Sequence, residues 1–168
     1  MKNFKLILML AAMAFAMAAC GGGSDEPTPP PTPPTPPTPP TPTPVYPTFD
    51  TPKWQSEVDA IATTFESSMD TYVQLPDSLA GGIKANDQLA VFSGSQCRGF
   101  ALRLTEVGTN LWQVLVFGKQ GETLTFKYYS STSKYMYTTP ATITFEADGM
   151  YGTPDNPKKL GFRIVTEK

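Results

Sequence analysis

Residues 27–47 hold 13 prolines and six threonines, and no other feature restricts the fold of this chain as severely. Proline fixes φ and lacks a backbone donor, so neither helix nor sheet can run through such a stretch. The expected state is polyproline II, with three residues per turn. Thr-Pro-Pro recurs at 32–34, 35–37 and 38–40, which sets Thr32, Thr35 and Thr38 on one edge. At about 3.1 Å per residue the stretch reaches roughly 65 Å. It serves either as a semi-rigid spacer or as an undemanding low-complexity linker. In both cases it divides the chain into an N-terminal segment and one domain, residues 48–168.

The N-terminal segment opens with Lys2 and Lys5, and an apolar run follows from Leu6 to Met17. The run is too short to span a bilayer, which takes roughly 20 residues, and it reads as a signal peptide over residues 1–19. It ends Met17-Ala18-Ala19-Cys20. Small residues before a cysteine resemble a lipobox, in which the cysteine receives a diacylglyceryl thioether and becomes the first residue of the mature protein. Met17 stands where leucine is commoner. The bland alternative is an ordinary signal peptide followed by a chance cysteine. Several acyl chains on Cys20 would anchor the chain stably, since each buried CH₂ contributes about 0.8 kcal/mol. Gly21 to Glu26 then reads GGGSDE. A flexible and then acidic segment resembles the export signal of Bacteroidetes surface lipoproteins, and it implies the outer membrane, facing the cell exterior.

Composition excludes several chemistries. There is no histidine, which removes histidine bases, triads and metal ligands together. Without Lys2 and Lys5, 11 basic side chains face 15 acidic ones. No basic block is present, so nucleic acid is not an expected partner. With Cys20 lipidated, Cys97 has no internal partner for a disulfide.

From Thr64 onward the hydrophobic period is two. Phe65, Met69, Val73 and Leu75 share one side with Ser67 and Thr71, whereas Tyr72 and Gln74 fall on the other. Further strands are expected at Gln88–Ser93, Gln96–Thr105, Leu111–Phe117, Glu122–Tyr129, Tyr135–Thr138, Thr142–Glu146 and Leu160–Val165. Gly94-Ser95 marks a hairpin. Leu111–Phe117 is apolar on both faces, as a central strand would be. Trp54–Ala62 shows no clear apolar face and is expected to be irregular, and Asp148–Pro157 is expected to break structure. No helix-length crossover separates the strands, which argues against parallel pairing. The expectation is therefore an all-β domain, an antiparallel β-sandwich of about eight strands, Ig-like or jelly-roll-like.

Two blocks carry a family resemblance. Asn86–Ala101 reads NDQLAVFSGSQCRGFA, and Leu111–Tyr129 reads LWQVLVFGKQGETLTFKYY, with Ile143-Thr144-Phe145 later. They resemble a β-sandwich module of Bacteroidetes secreted and surface proteins, typically GDEIAAFVGGECRGVA and then FLTVYGNEGE-TVTFKLYD. The resemblance spans Glu66 to Phe162. Asn86-Asp87 stands where Gly-Asp is usual, and Ser93 and Ser95 lie in the turn. The resemblance implies a sandwich fold and an exported compartment. The family brings no settled activity, so it assigns no site residue.

Several residues invite a chemical role. Cys97 with Arg98 suggests a thiol nucleophile, yet strand neighbours point to opposite faces and no histidine can serve as base. Cys97 reads as a small core residue, Asp87 as the cap of a turn, and Arg98 as the partner of a nearby acid. Asp148, Asp155 and Asn156 could offer oxygens to calcium, but turn chemistry accounts for them, and no cofactor or metal is expected. Tyr72, Tyr129, Trp112 and Trp54 are candidates for stacking on a glycan, with Tyr72 and Tyr129 expected to be exposed and Tyr128 in the core. Asp77-Ser78-Leu79 resembles the short sequon at which Bacteroidetes attach O-glycans, which makes Ser78 a candidate acceptor in an exposed loop. Asp70-Thr71-Tyr72 and Asp50-Thr51-Pro52 match less well. These features point to a surface-anchored, non-enzymatic module that binds a glycan or a partner protein. A structural domain that assembles through strand edges and a hydrolase are the alternatives.

Overall fold

The computed structural model describes residues 43–168. The signal segment, Cys20, the acidic segment and the stalk as far as residue 42 lie outside the described residues. Tyr46, at the end of the stalk, meets the ring of Tyr135 edge-on at 5.7 Å.

The fold is mostly β. In chain order come helix α1 (Trp54–Ile61), β1 (Ser67–Gln74), a four-residue helical turn α2 (Asp77–Ala80), β2 (Gln88–Ser93), β3 (Gln96–Arg103), β4 (Trp112–Gly118), β5 (Thr123–Tyr129), β6 (Met136–Thr138), β7 (Ile143–Thr144), β8 (Met150–Tyr151), β9 (Lys158–Lys159) and β10 (Arg163–Ile164). The strands form one curled, mixed sheet in the order β10-β6-β5-β2-β3-β4-β1-β8, with β7 beside β5 and β9 beside β1.

The purely antiparallel expectation is corrected at one edge. β8 and β9 both run parallel to β1, Asp70 facing Met150 and Val73 facing Lys158. No crossover helix is needed, because the six intervening strands, β2 to β7, themselves carry the chain away from β1 and back to its free side. The Asp148–Pro157 segment, expected only to break structure, follows β1 on either side of an excursion at 152–157. Gly152 permits this close approach. It has φ +79, and a Cβ there would lie 2.4 Å from the Tyr72 carbonyl oxygen. The turn at Gly118–Gly121 carries the chain between halves of the sheet, since β4 pairs with β1 and β3 whereas β5 pairs with β2, β6 and β7.

The sheet curls because the β2–β3 hairpin contains a bulge. Val91 faces Gly99 and Phe92 faces Cys97, so Arg98 is the extra residue. A bulge sharpens local twist and lets β3 leave β2 for β4. Gly99 is required there, since a Cβ would sit 2.7 Å from the Leu115 carbonyl oxygen and 2.8 Å from Val114. Past the bulge the alternation reverses. Cys97 lies on the convex face and Ala101 on the concave one, although both fall on one side of a regular strand.

The concave face encloses the main core. Leu89, Val91, Leu124, Phe126 and Tyr128 from one half of the sheet face Met69, Val73, Trp112, Val114 and Val116 from the other, with Leu75, Phe145 and Leu160 closing the ends. The alternation in β1 and β5 is the one that the sequence predicts. Trp112 meets Tyr128 edge-on at 6.3 Å across this core. Each such aromatic contributes about 1.5–3 kcal/mol by burial alone.

A second cluster lies on the convex face of β2, β3 and β5. There the segment expected to be irregular forms α1, whose Trp54 and Val58, four residues apart, pack on Ala90, Phe92, Cys97 and Tyr129. Glu57 in the first turn favours the positive end of the helix dipole. Among the described residues no helix is long and apolar enough to cross a membrane.

Candidate functional site

Asp87 stands just before β2, buried to 6 % exposure. Its Oδ2 accepts from the Lys84 N–H at 2.9 Å and from the Tyr128 hydroxyl at 2.5 Å. Its Oδ1 accepts from the Ser131 N–H at 2.8 Å and from the Ser131 hydroxyl at 2.7 Å. Burial pushes the carboxyl up, but these four donations outweigh it and hold the group below the usual carboxylate range. The expected turn cap is therefore present, and it also ties the 84–87 turn to the β5–β6 loop.

Beside this cluster lies a recess of about 470 Å³, lined by Thr51, Ala85, Asn86, Asp87, Gln88, Phe100 and Ser131. Phe100 also packs against the Trp54 cluster. Gln88 donates from Nε2 to the Pro52 carbonyl at 3.2 Å, and the Thr51 hydroxyl lies 3.5 Å from that of Tyr129. Tyr72 and Trp54 are absent from its lining. Alternation alone could have found Phe100, which shares a side with Leu102 in the sequence of β3.

Beyond Cys97 and Phe100 of β3 and Phe117 of β4, which pack with the α1 cluster, the convex face continues over the rest of β3 and β4 and over β1 and β8. Two rows cross it. Tyr72 and Leu102 both face Gln113, and Leu115 and Met150 both face Asp70. Gln113 donates from Nε2 to the Tyr72 hydroxyl at 3.0 Å and to Asp70 Oδ1 at 3.2 Å. Leu102, Leu115 and Met150 are 63 %, 42 % and 57 % exposed. β4 is a central strand, between β3 and β1, as its apolar faces predict, although Leu115 on its convex face stays exposed.

The stacking candidates are dispersed. Trp112 is locked in the main core, and Trp54 and Tyr129 are buried in the second cluster. None of the three presents a ring to a sugar. The expected exposure of Tyr129 fails because α1 and the segment before it cover the polar-looking face of β5. Tyr72 alone of the four stays at the surface, half-buried.

Cys97 is buried beside Trp54, and burial, aided by the carboxylate of Glu57, pushes its thiol up to about 12. Arg98 pairs with Glu122 at 3.0 Å and lies 4.2 Å from the centre of the Phe65 ring. Ser78 is exposed within α2 rather than in a loop, and Asp77 beside it pairs with Lys159 at 2.7 Å. Thr71 is fully buried and donates to the Val114 carbonyl. Asp148 takes a left-handed φ of 56, and Asn156 closes a turn on Thr153. Among the described residues no group of acids and cysteine is arranged to hold a metal.

Comparison with protein-family models, with curated proteins and with solved structures finds no match to this chain.

Proposed function

We propose that this chain is a non-enzymatic binding module, held at the outer membrane by a lipid on Cys20 and facing the cell exterior, whose ligand is a glycan or a partner protein. The anchor rests on Met17-Ala18-Ala19-Cys20 and the acidic segment after it. The Pro/Thr stalk serves as the spacer. The two blocks that resemble the Bacteroidetes sandwich module fold as the β2–β3 hairpin and the β4-to-β5 connection, and we place the chain with that module on this ground. The observation that carries the binding reading is the open convex face, where Leu102, Leu115 and Met150 lie exposed around Tyr72 and Gln113. Apolar side chains gathered on one face mark an interaction surface more often than scattered ones do. Assembly through strand edges draws little support, since β8, β9 and β10 offer two residues each and carry Lys158, Lys159 and Arg163.

The test is photo-crosslinking of the full chain in its native host. A crosslinker at Leu115 should capture one defined ligand, and one at exposed Asp155 should not. Equal labelling from both positions, or none from Leu115, would sink the binding reading.

A further inference from the structure

We propose that the recess beside Asp87 binds one neutral, hexose-sized unit of a glycan, with Phe100 as the stacking ring and Thr51, Asn86, Gln88 and Ser131 as the groups that read its hydroxyls. This rests on the binding-module reading and adds to it a site apart from the open convex face, with a chemistry of its own.

The size fits, since about 470 Å³ lies within the roughly 300–1,000 Å³ usual for small-ligand sites. The wall chemistry is mixed and neutral. Sugar hydroxyls both donate and accept, and amides do likewise. Gln88 commits one amide hydrogen to Pro52 and keeps its oxygen and second hydrogen. Ser131 donates its hydroxyl hydrogen to Asp87, which leaves its oxygen as an acceptor. Asn86 is exposed.

Charge narrows the class further. Asp87 is the only ionisable residue of the lining, and its two oxygens already take four donors. A cationic ligand finds no free acid oxygen, and an anionic ligand finds no basic side chain in the lining. An extended peptide finds little free backbone to pair with, because β2 pairs with β5 from Gln88 onward and with β3 from Ala90 onward. What remains is a neutral, hydroxyl-rich ligand with an apolar face, and Phe100 supplies the complementary ring. The walls come from four separate segments: Asp87 joins the 85–88 turn to Ser131, the Gln88–Pro52 bond holds the Thr51 segment, and pairing of β3 with β2 holds Phe100. Binding therefore costs little in ordering the site.

The experiment is saturation-transfer NMR on the full chain in detergent micelles. The probes are maltose, cellobiose, lactose and N-acetyllactosamine, with glucuronic acid and sialyllactose as charged comparisons. At least one neutral sugar should show transfer concentrated on the C–H protons of one ring. Phe100→Ala should weaken binding about tenfold. Asn86→Ala should weaken it too, and because Asn86 is exposed and its side chain makes no hydrogen bond among the described residues, a folding defect does not obscure the result. Asp155→Ala, an exposed change outside the lining, should leave binding unchanged. No transfer to any neutral sugar overturns the proposal, while the binding-module reading then stands or falls on crosslinking from Leu115. Binding that survives Asn86→Ala and Phe100→Ala but is lost in Tyr72→Ala moves the site to the open face and also overturns it. Preference for the charged sugars does the same.

Discussion

Tyr128, on the concave face of β5, donates its hydroxyl hydrogen to Asp87, which lies 41 residues earlier at the foot of β2. The contact joins the aromatic core to the turn that forms the recess. Removing the acid should be felt in both places. Asp87→Asn keeps the shape but presents an amide hydrogen pair to donors that need an acceptor. It should cost about 2–3 kcal/mol, the range for hydrogen bonds to a charged group together with buried groups left unpaired. The pH dependence follows from a depressed carboxyl. Its stabilisation is complete above the unfolded value of about 3.9 and fades as pH falls through the lower folded value. Urea midpoints of the wild type and the variant should therefore differ at pH 7 and converge in acid. A gap that does not change with pH would contradict the account.

Phe126 and Thr125 test the faces of β5. Phe126 is 1 % exposed within the main core. Phe126→Ala should cost about 3–5 kcal/mol. Thr125→Ala should cost well under about 1 kcal/mol. Equal losses in urea melts would place the core on the other side of the strand.

Cys97 should react slowly. With its thiol pushed up to about 12 and its side chain beneath Trp54, the thiolate is scarce at neutral pH. The folded domain should resist iodoacetamide and react once urea unfolds it. Rapid alkylation without unfolding would mean that α1 does not cover the β2–β3 hairpin.

For Cys20 the expected outcome is covalent lipid. Growth with an alkyne-tagged fatty acid should label the wild-type protein and leave Cys20→Ala unlabelled. Persistent label on the variant would put the acyl chain elsewhere.

Ser78 and Thr71 sit in similar short motifs, but only one can be reached. Ser78 is exposed beside the Asp77–Lys159 pair, whereas the Thr71 hydroxyl is buried against Val114. We expect glycan mass on Ser78 in protein from its native host. Ser78→Ala should remove it, and Thr71→Ala and Thr51→Ala should not. Intact mass spectrometry that finds no glycan, or finds it only on the stalk threonines, would refute the assignment.

Much of the sheet was legible because β1 and β5 are half-buried, and a half-buried strand prints its two faces into alternate residues. Met69, Thr71, Val73 and Leu75 could be placed before any coordinates, as could Leu124, Phe126 and Tyr128. The failures share a physical origin. Helix α1 has only eight residues and anchors itself with Trp54 and Val58, too few to mark an apolar stripe. Missing it left Tyr129 looking exposed, since a residue's polar-faced neighbours do not reveal that another element covers them. The bulge at Arg98 reverses the alternation within β3, and nothing in QCRGFALR announces the extra residue. Strands β8 and β9 have two residues each among turn formers, so no period could show them. Of the candidate site, Asp87 as a turn cap could be read. The recess could not, since Thr51, Gln88 and Ser131 come together only through the fold.

β1 is flanked by β4 on one side and by β8 and β9 on the other. A polypeptide that emerges N-terminus first thus presents residues 67–74 with no partner strand until residue 112 has passed. The opposite side stays bare until residue 150 arrives and is complete only at residue 159. Closing loops of that length precedes any reward from pairing, which makes such topologies slow and exposes their edges meanwhile. For this domain, maturation is an event of the completed chain: a translation product truncated before residue 150 keeps its first strand open along one side, a substrate for proteases and holdase chaperones rather than a smaller working module.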